Sequence, residues 1–148
     1  MPLKDTITSD MKNAMRSGEK ERLSVIRMLL ASVQKREIEE RRDLDDAEVL
    51  AVIEKQVKQH RDSANQYSEA GRDDRAEAEL AEADFLKVYL PEPLSDVELD
   101  TLIESAISET QASGMQDMGK VMGILKAKAQ GRADMGALSG KIKARLTR

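Results

Sequence analysis

Apolar residues in this chain recur at intervals of three and four far more often than at two, the pattern of helices that each bury one face. Leu3 to Arg16 predicts a short first helix closed by Gly18, a residue that accepts the left-handed conformation on which helices end. In the second helix Leu23, Ile26, Leu29, Leu30 and Val33 form an inner face, and Glu37 to Arg42 continues it as a solvated charged end. Asp45 and Glu48 have the spacing of a capping box for a third helix. Leu50, Ile53, Val57, His60, Ala64 and Tyr67 line one side of that helix until Gly71 ends it. Helices two and three are expected to pair antiparallel. Asp73 and Asp74 open a fourth, with Ala76, Leu80, Ala83, Lys87 and Leu90 along one line and Phe85, Leu86 and Tyr89 beside it.

Pro91 and Pro93 then forbid a continuous helix, and the pattern restarts beyond them. The border is expected here, giving an N-terminal helical domain over residues 1–93 and a tail domain over 94–148. Ser95 and Glu98 form a second capping box, for a fifth helix with Leu99, Leu102, Ile103, Ala106 and Ile107 inward and an end near Gly114. Met118, Val121, Met122, Leu125 and Ala129 mark a sixth helix stopped by Gly131; Leu138, Ile142 and Leu146 mark a seventh. The fold class is all-α, about four helices followed by about three.

Composition sharpens this outline mainly through charge. The net charge is −4, but residues 94–117 carry six acidic and no basic side chains, whereas residues 118–148 carry eight Lys/Arg against Asp134 alone. A local basic face in an acidic protein points to a polyanion such as RNA as the first candidate ligand. The absence of cysteine excludes disulfides, a thiolate nucleophile and Cys-ligated metals. No apolar stretch approaches the length of a membrane span, and the first residues have no apolar leader core. A soluble cytoplasmic protein without a membrane partner is the expectation.

Within the basic segment, Gly119, Gly123 and Ala127 fall on the side of the sixth helix opposite its apolar face, flanked by Lys120 and Lys126. Interior glycines cost a helix about 1 kcal/mol each relative to alanine, so this smooth strip suits a phosphate or a partner helix at close range, or close packing of neighbouring helices. Gly119-Lys120 is no phosphate loop, because Val121 stands where Ser or Thr is required and no strand precedes it. Gly131-Arg132-Ala133-Asp134 predicts a tight turn with Asp134 capping the last helix. Arg132 either projects to a phosphate or pairs with an acidic residue of the fifth helix. Lys126, Lys128, Lys141, Lys143 and Arg145 extend the basic surface. No aromatic residue follows Tyr89, so RNA contact would be to backbone and shape, not to stacked bases.

His60, the one histidine, sits in an apolar stripe and reads as a hydrogen-bonded core or boundary residue, not as a catalyst or metal ligand. The carboxylates Glu37, Glu39, Glu40, Glu77, Glu79 and Glu82 read as a solvated face. No catalytic residue, metal site or cofactor is expected.

Five segments together resemble the YqeY family. They are Glu21-Arg22-Leu23-Ser24-Val25-Ile26-Arg27-Met28-Leu29, Arg61-Asp62-Ser63, Ala70-Gly71-Arg72-Asp73, Tyr89-Leu90-Pro91-Glu92-Pro93-Leu94-Ser95 and Gly119-Lys120-Val121-Met122-Gly123. From about Leu94 the tail is similar to the C-terminal domain of the B subunit of glutamine-dependent aminoacyl-tRNA amidotransferase. That resemblance implies a link to tRNA, since the amidotransferase tail helps hold the tRNA body. It does not imply catalysis, because ATP-dependent activation and ammonia release lie in parts of that enzyme the chain does not match. Where the resemblance leads one to expect a Gly-Lys start to the last helix, the chain reads Met135-Gly136-Ala137-Leu138-Ser139-Gly140-Lys141, whose extra glycines should loosen it. The expected function is a non-catalytic tRNA-binding or amidotransferase-related accessory protein, with Lys120, Lys126, Lys128, Arg132, Lys141 and Lys143 at phosphates and Gly119, Gly123 and Gly131 as close-approach backbone. A tRNA-processing or amidotransferase protein is the further expected partner. The alternatives are a helical protein–protein adaptor and, third, a carbon–nitrogen ligase using glutamine as amido-nitrogen donor.

Overall fold

The computed structural model describes residues 2–147; Arg148, counted in the basic tail, lies outside them. Among the described residues seven α-helices and one short 3₁₀ turn make an all-α fold, and no strand occurs. The chain forms two compact units, Met1–Leu90 and Pro91–Arg148.

The first unit contains α1 (Leu3–Ser17), α2 (Lys20–Glu40), α3 (Asp46–Glu69) and α4 (Asp73–Lys87). Gly18 closes α1 at φ 73° and Gly71 turns the chain between α3 and α4 at φ 74°. The third helix starts on the expected reciprocal box. The Glu48 N–H donates to Asp45 Oδ1 at 2.8 Å, and the Asp45 N–H donates to Glu48 Oε1 at 3.3 Å. Ile7, Val25, Ile26, Leu29, Val33, Val49, Ile53, Val57, Ala83 and Leu86 form the core.

Two expectations change here. The main partner of α3 is α4, not α2: the turn at Ala70–Arg72 is short and the small side chains of Ala76 and Ala83 let the helices approach. Leu80, placed in the inner line by its spacing, is 46% exposed, and Ala76, Ala83 and Leu86 carry the buried face instead.

The second unit contains α5 (Asp96–Thr110), the 3₁₀ turn Met115–Asp117, α6 (Met118–Ala129) and α7 (Met135–Leu146). Ser95 and Glu98 cap α5 reciprocally, both bonds at 3.1 Å. The helix ends at Thr110, with Gln111 in the left-handed conformation at φ 54°, so it stops before Gly114. Leu99, Ile103, Ala106, Val121, Leu125, Ala129, Leu138, Ile142 and Leu146 close a separate core. The glycines of α7 do not interrupt it, because Asp134 Oδ1 accepts the Gly136 N–H at 3.1 Å and holds the first turn. Among the described residues no helix is long and apolar enough to cross a membrane.

Candidate functional site

The sixth helix buries Val121, Leu125 and Ala129 and turns Gly119, Gly123 and Ala127 outward, as its pattern predicted. A Cβ built at Gly119 or Gly123 meets nothing within 4 Å. Close packing among the described residues of the second unit is therefore not what requires these glycines. Lys120 and Lys126, which flank the strip, and Lys128, further round the helix, are exposed and have no ion-pair partner among the described residues. Lys126 and Lys128 lie in the last turn, where the helix dipole favours cations.

The remaining predicted contacts are placed differently. Gly131 makes its turn at φ 78°. Arg132 neither projects freely nor meets an acidic residue of α5: its Nε donates to the Glu92 carbonyl at 2.8 Å, while the Leu94 N–H donates to the Arg132 carbonyl at 2.8 Å. The α6–α7 loop is thereby clasped to the proline segment. Lys141 lies 3.6 Å from Asp96 and 3.8 Å from Asp100. Arg145 lies 2.6 Å from Glu104 and 3.9 Å from Asp100. One side of α7 thus pairs its cations with the acidic α5, which leaves the α6 lysines and Lys143 free of ion pairs among the described residues. Lys143 is exposed and unpaired among the described residues. Nothing in the sequence marked Glu92, because its contribution is a backbone carbonyl.

In the first unit the charged side chains are only partly a solvated face. Lys4 Nζ lies 2.8 Å from Glu37, whose other oxygen accepts the Leu44 N–H at 2.9 Å; these two bonds, the lysine first, hold the Glu37 carboxyl below its ordinary range. Arg42 bonds Glu48 at 2.5 Å and, with the Asp45 N–H, brings that carboxyl down to about 2. The Tyr89 hydroxyl donates to Asp10 at 2.5 Å, and burial followed by that bond pushes the phenol well above its usual value. A cleft of about 540 Å³ lined by residues of α2 and α3 includes Lys35, Arg36, Lys55 and Gln56, with Arg36 engaged by Glu40 and Glu48.

His60 is a buried boundary residue, 7% exposed, but its partners were not foreseen. Its Nδ1 lies 2.7 Å from Glu79 Oε2 and 3.4 Å from Glu82 Oε2, both from α4. Burial first, then the charge of Glu79, raises the Glu82 carboxyl above its ordinary range; His60 opposes this and Glu21 of α2 adds to it. The available signal was the three-residue spacing of Glu79 and Glu82, which puts both on one helix face. Pairing them with His60 requires the α3–α4 register, which the sequence does not state.

Over 127 residues the chain is 33% identical to a protein of Pyrenophora tritici-repentis named altered inheritance of mitochondria protein 41, mitochondrial; the match covers 82% of this chain and 70% of that one. A protein of the same name from Lachancea thermotolerans is 29% identical over 110 residues, covering 72% of this chain and 59% of that protein. An uncharacterized protein of Schizosaccharomyces pombe, C22F3.15, is 26% identical over 95 residues, covering 64% and 77%. The cytoplasmic expectation does not stand, because relatives this similar are named as mitochondrial proteins. A chain without cysteine is compatible with any compartment, an oxidising or a reducing one alike. The family described as Yqey-like protein matches residues 4–146, so the chain belongs to the YqeY-like family.

Proposed function

We propose that the chain is a tRNA-binding accessory protein whose contact surface is the outer side of α6. The observation that carries this reading is the pair of exposed, unpaired lysines Lys120 and Lys126 flanking a glycine strip open to close approach, with exposed Lys128 further round the same helix. Phosphate neutralisation by lysine releases counterions, and bare backbone lets a sugar–phosphate chain come near the helix. The clasped Arg132 and paired Lys141 contribute less, since each must leave an existing partner. The resemblance of the tail to a tRNA-holding domain supports the same reading.

The test is fluorescence anisotropy of labelled tRNA with the full chain across a salt series. Three phosphate contacts predict log K falling by about 3 per decade of salt. A Lys120→Glu/Lys126→Glu variant should lose most affinity, while Lys12→Glu on α1, an exposed charge reversal elsewhere, should change little. Equal loss in both would show only a net-charge effect. No binding by the wild type at low salt would discard the RNA reading in favour of a protein partner seated on the open glycine strip. A glutaminase assay on folded protein at stoichiometric concentration tests the carbon–nitrogen ligase alternative, which needs an activated nucleophile or supplied ammonia.

A further inference from the structure

The His60 cluster is chemically unlike the rest of the first unit. An imidazole that is more than nine-tenths buried faces two carboxylates with one ring nitrogen, and its other nitrogen, Nε2, has no hydrogen-bond partner among the described residues. One side-chain atom from each of His60, Glu79 and Glu82 can be chosen so that all lie within 4.8 Å of one another. We propose that His60 Nδ1 and the carboxylates of Glu79 and Glu82 form a binding site for a divalent transition-metal ion, zinc foremost.

Geometry supports this assignment first. Bonds of about 2.0–2.2 Å to nitrogen and carboxylate oxygen in a tetrahedral site place donor atoms about 3.3 Å apart. The separation of Nδ1 from Glu82 Oε2 is already 3.4 Å, and that from Glu79 Oε2 has to open from 2.7 Å by roughly half an ångström. The ligands stand on stable elements, one on α3 and two a turn apart on α4, the tightest helix pair of the unit. The carboxylates keep a route to solvent, with side-chain exposures of 23% for Glu79 and 39% for Glu82.

Charge points the same way. Two neighbouring carboxylates share one imidazole, and a third, Glu21, lies near enough to add to the negative potential. A proton on Nδ1 offers one short hydrogen bond to this group; a dication offers a bond to both carboxylates and uses the imidazole lone pair. Coordination through Nδ1 leaves the ring proton on Nε2, where a metal-bound histidine usually meets an acceptor. Gln56, one turn earlier on α3, is 5% exposed and has both amide atoms unpartnered among the described residues, so its carbonyl oxygen could take that role after a rotation of the side chain. Three protein ligands leave a fourth position for water.

His60 is the sole histidine of this sequence and there is no cysteine, so imidazole coordination in tag-free protein of residues 1–148 can have one origin. After chelator treatment, the protein is titrated with zinc chloride by calorimetry while the imidazole nitrogens are followed by long-range proton–nitrogen NMR; cobalt(II) chloride is added in a parallel optical titration. The site predicts one equivalent of zinc, a metal-shifted Nδ1 with the proton on Nε2, and tetrahedral cobalt absorption bands. His60→Ala and the near-isosteric Glu79→Gln should each weaken zinc binding tenfold or more, with far-UV circular dichroism reporting that the helices remain. An Nδ1 that stays protonated under excess zinc overturns the proposal and identifies an imidazolium–carboxylate bridge. Equal zinc affinity in wild type and His60→Ala overturns it as well.

Discussion

Leu125→Ala tests whether the second unit depends on its own core. Leu125 is fully buried, in a cluster with Leu99, Ile103, Val121 and Ile142 that shares no residue with the core of the first unit. Removing three carbons forfeits about 2.4 kcal/mol of transfer free energy at ~0.8 kcal/mol per carbon, and the cavity left behind brings the loss to roughly 3–5 kcal/mol. A unit of roughly 60 residues is stable by only about 3–9 kcal/mol, so this one truncation removes much of what holds it. Amide hydrogen exchange on the full chain resolves the effect by segment. Three kcal/mol at about 1.4 kcal/mol per decade corresponds to roughly 100-fold faster exchange of the slowest amides of α5, α6 and α7. The α3 amides around Val49 to Val57 are expected to keep their protection. Less than tenfold acceleration in α5–α7 would refute the packing argument, and matching acceleration in α3 would refute the separation of the cores.

Further outcomes follow from individual contacts. Ser95→Ala removes the acceptor for the Glu98 N–H and should destabilise the second unit by about 0.5–2 kcal/mol, read as a lower urea midpoint. Gly123→Ala adds a methyl group into open space, so it should raise thermal stability by about 1 kcal/mol of helix propensity while weakening tRNA binding where backbone approach is used; unchanged binding would remove the close-approach role. Gly131→Ala forces an alanine to φ 78° and should cost about 1–2 kcal/mol, whereas a neutral result would show that the α6–α7 loop rearranges. Glu48 is held at about 2, below its unfolded value, so its contribution is complete above about pH 4.5 and lost as pH falls toward 2. The urea-midpoint gap between wild type and Glu48→Gln should therefore narrow between pH 5 and pH 2, and a constant gap would contradict the assignment.

What the sequence revealed were features encoded within a few residues. The Asp45/Glu48 and Ser95/Glu98 boxes, the turns at Gly18 and Gly131 and the capping role of Asp134 depend on spacings of one to four positions, and each appears where expected. Leu80 fits the inner periodicity of α4 and yet is exposed, because the neighbouring helix packs on the face carrying Ala76, Ala83 and Leu86. The outward glycine strip of α6 was legible from its period, but the selective loss of cations on α7 to α5 was not. Lys141 and Arg145 find Asp96, Asp100 and Glu104 through tertiary packing. The His60 cluster was hidden for the same reason: its atoms come from positions 60, 79 and 82, joined only by the register of a helical hairpin.

The clasp between Arg132 and Glu92 decides where the second unit can be excised. A fragment beginning at Leu94 retains all three helices and both members of the Ser95/Glu98 cap, but discards the carbonyl that holds Arg132 and exposes its guanidinium. Such a fragment would present an additional free cation and overstate the affinity of the tail for any polyanion. Cutting ahead of Pro91 keeps the clasp, so the two fragments, differing by Pro91, Glu92 and Pro93, separate binding native to the fold from binding created by the scissors.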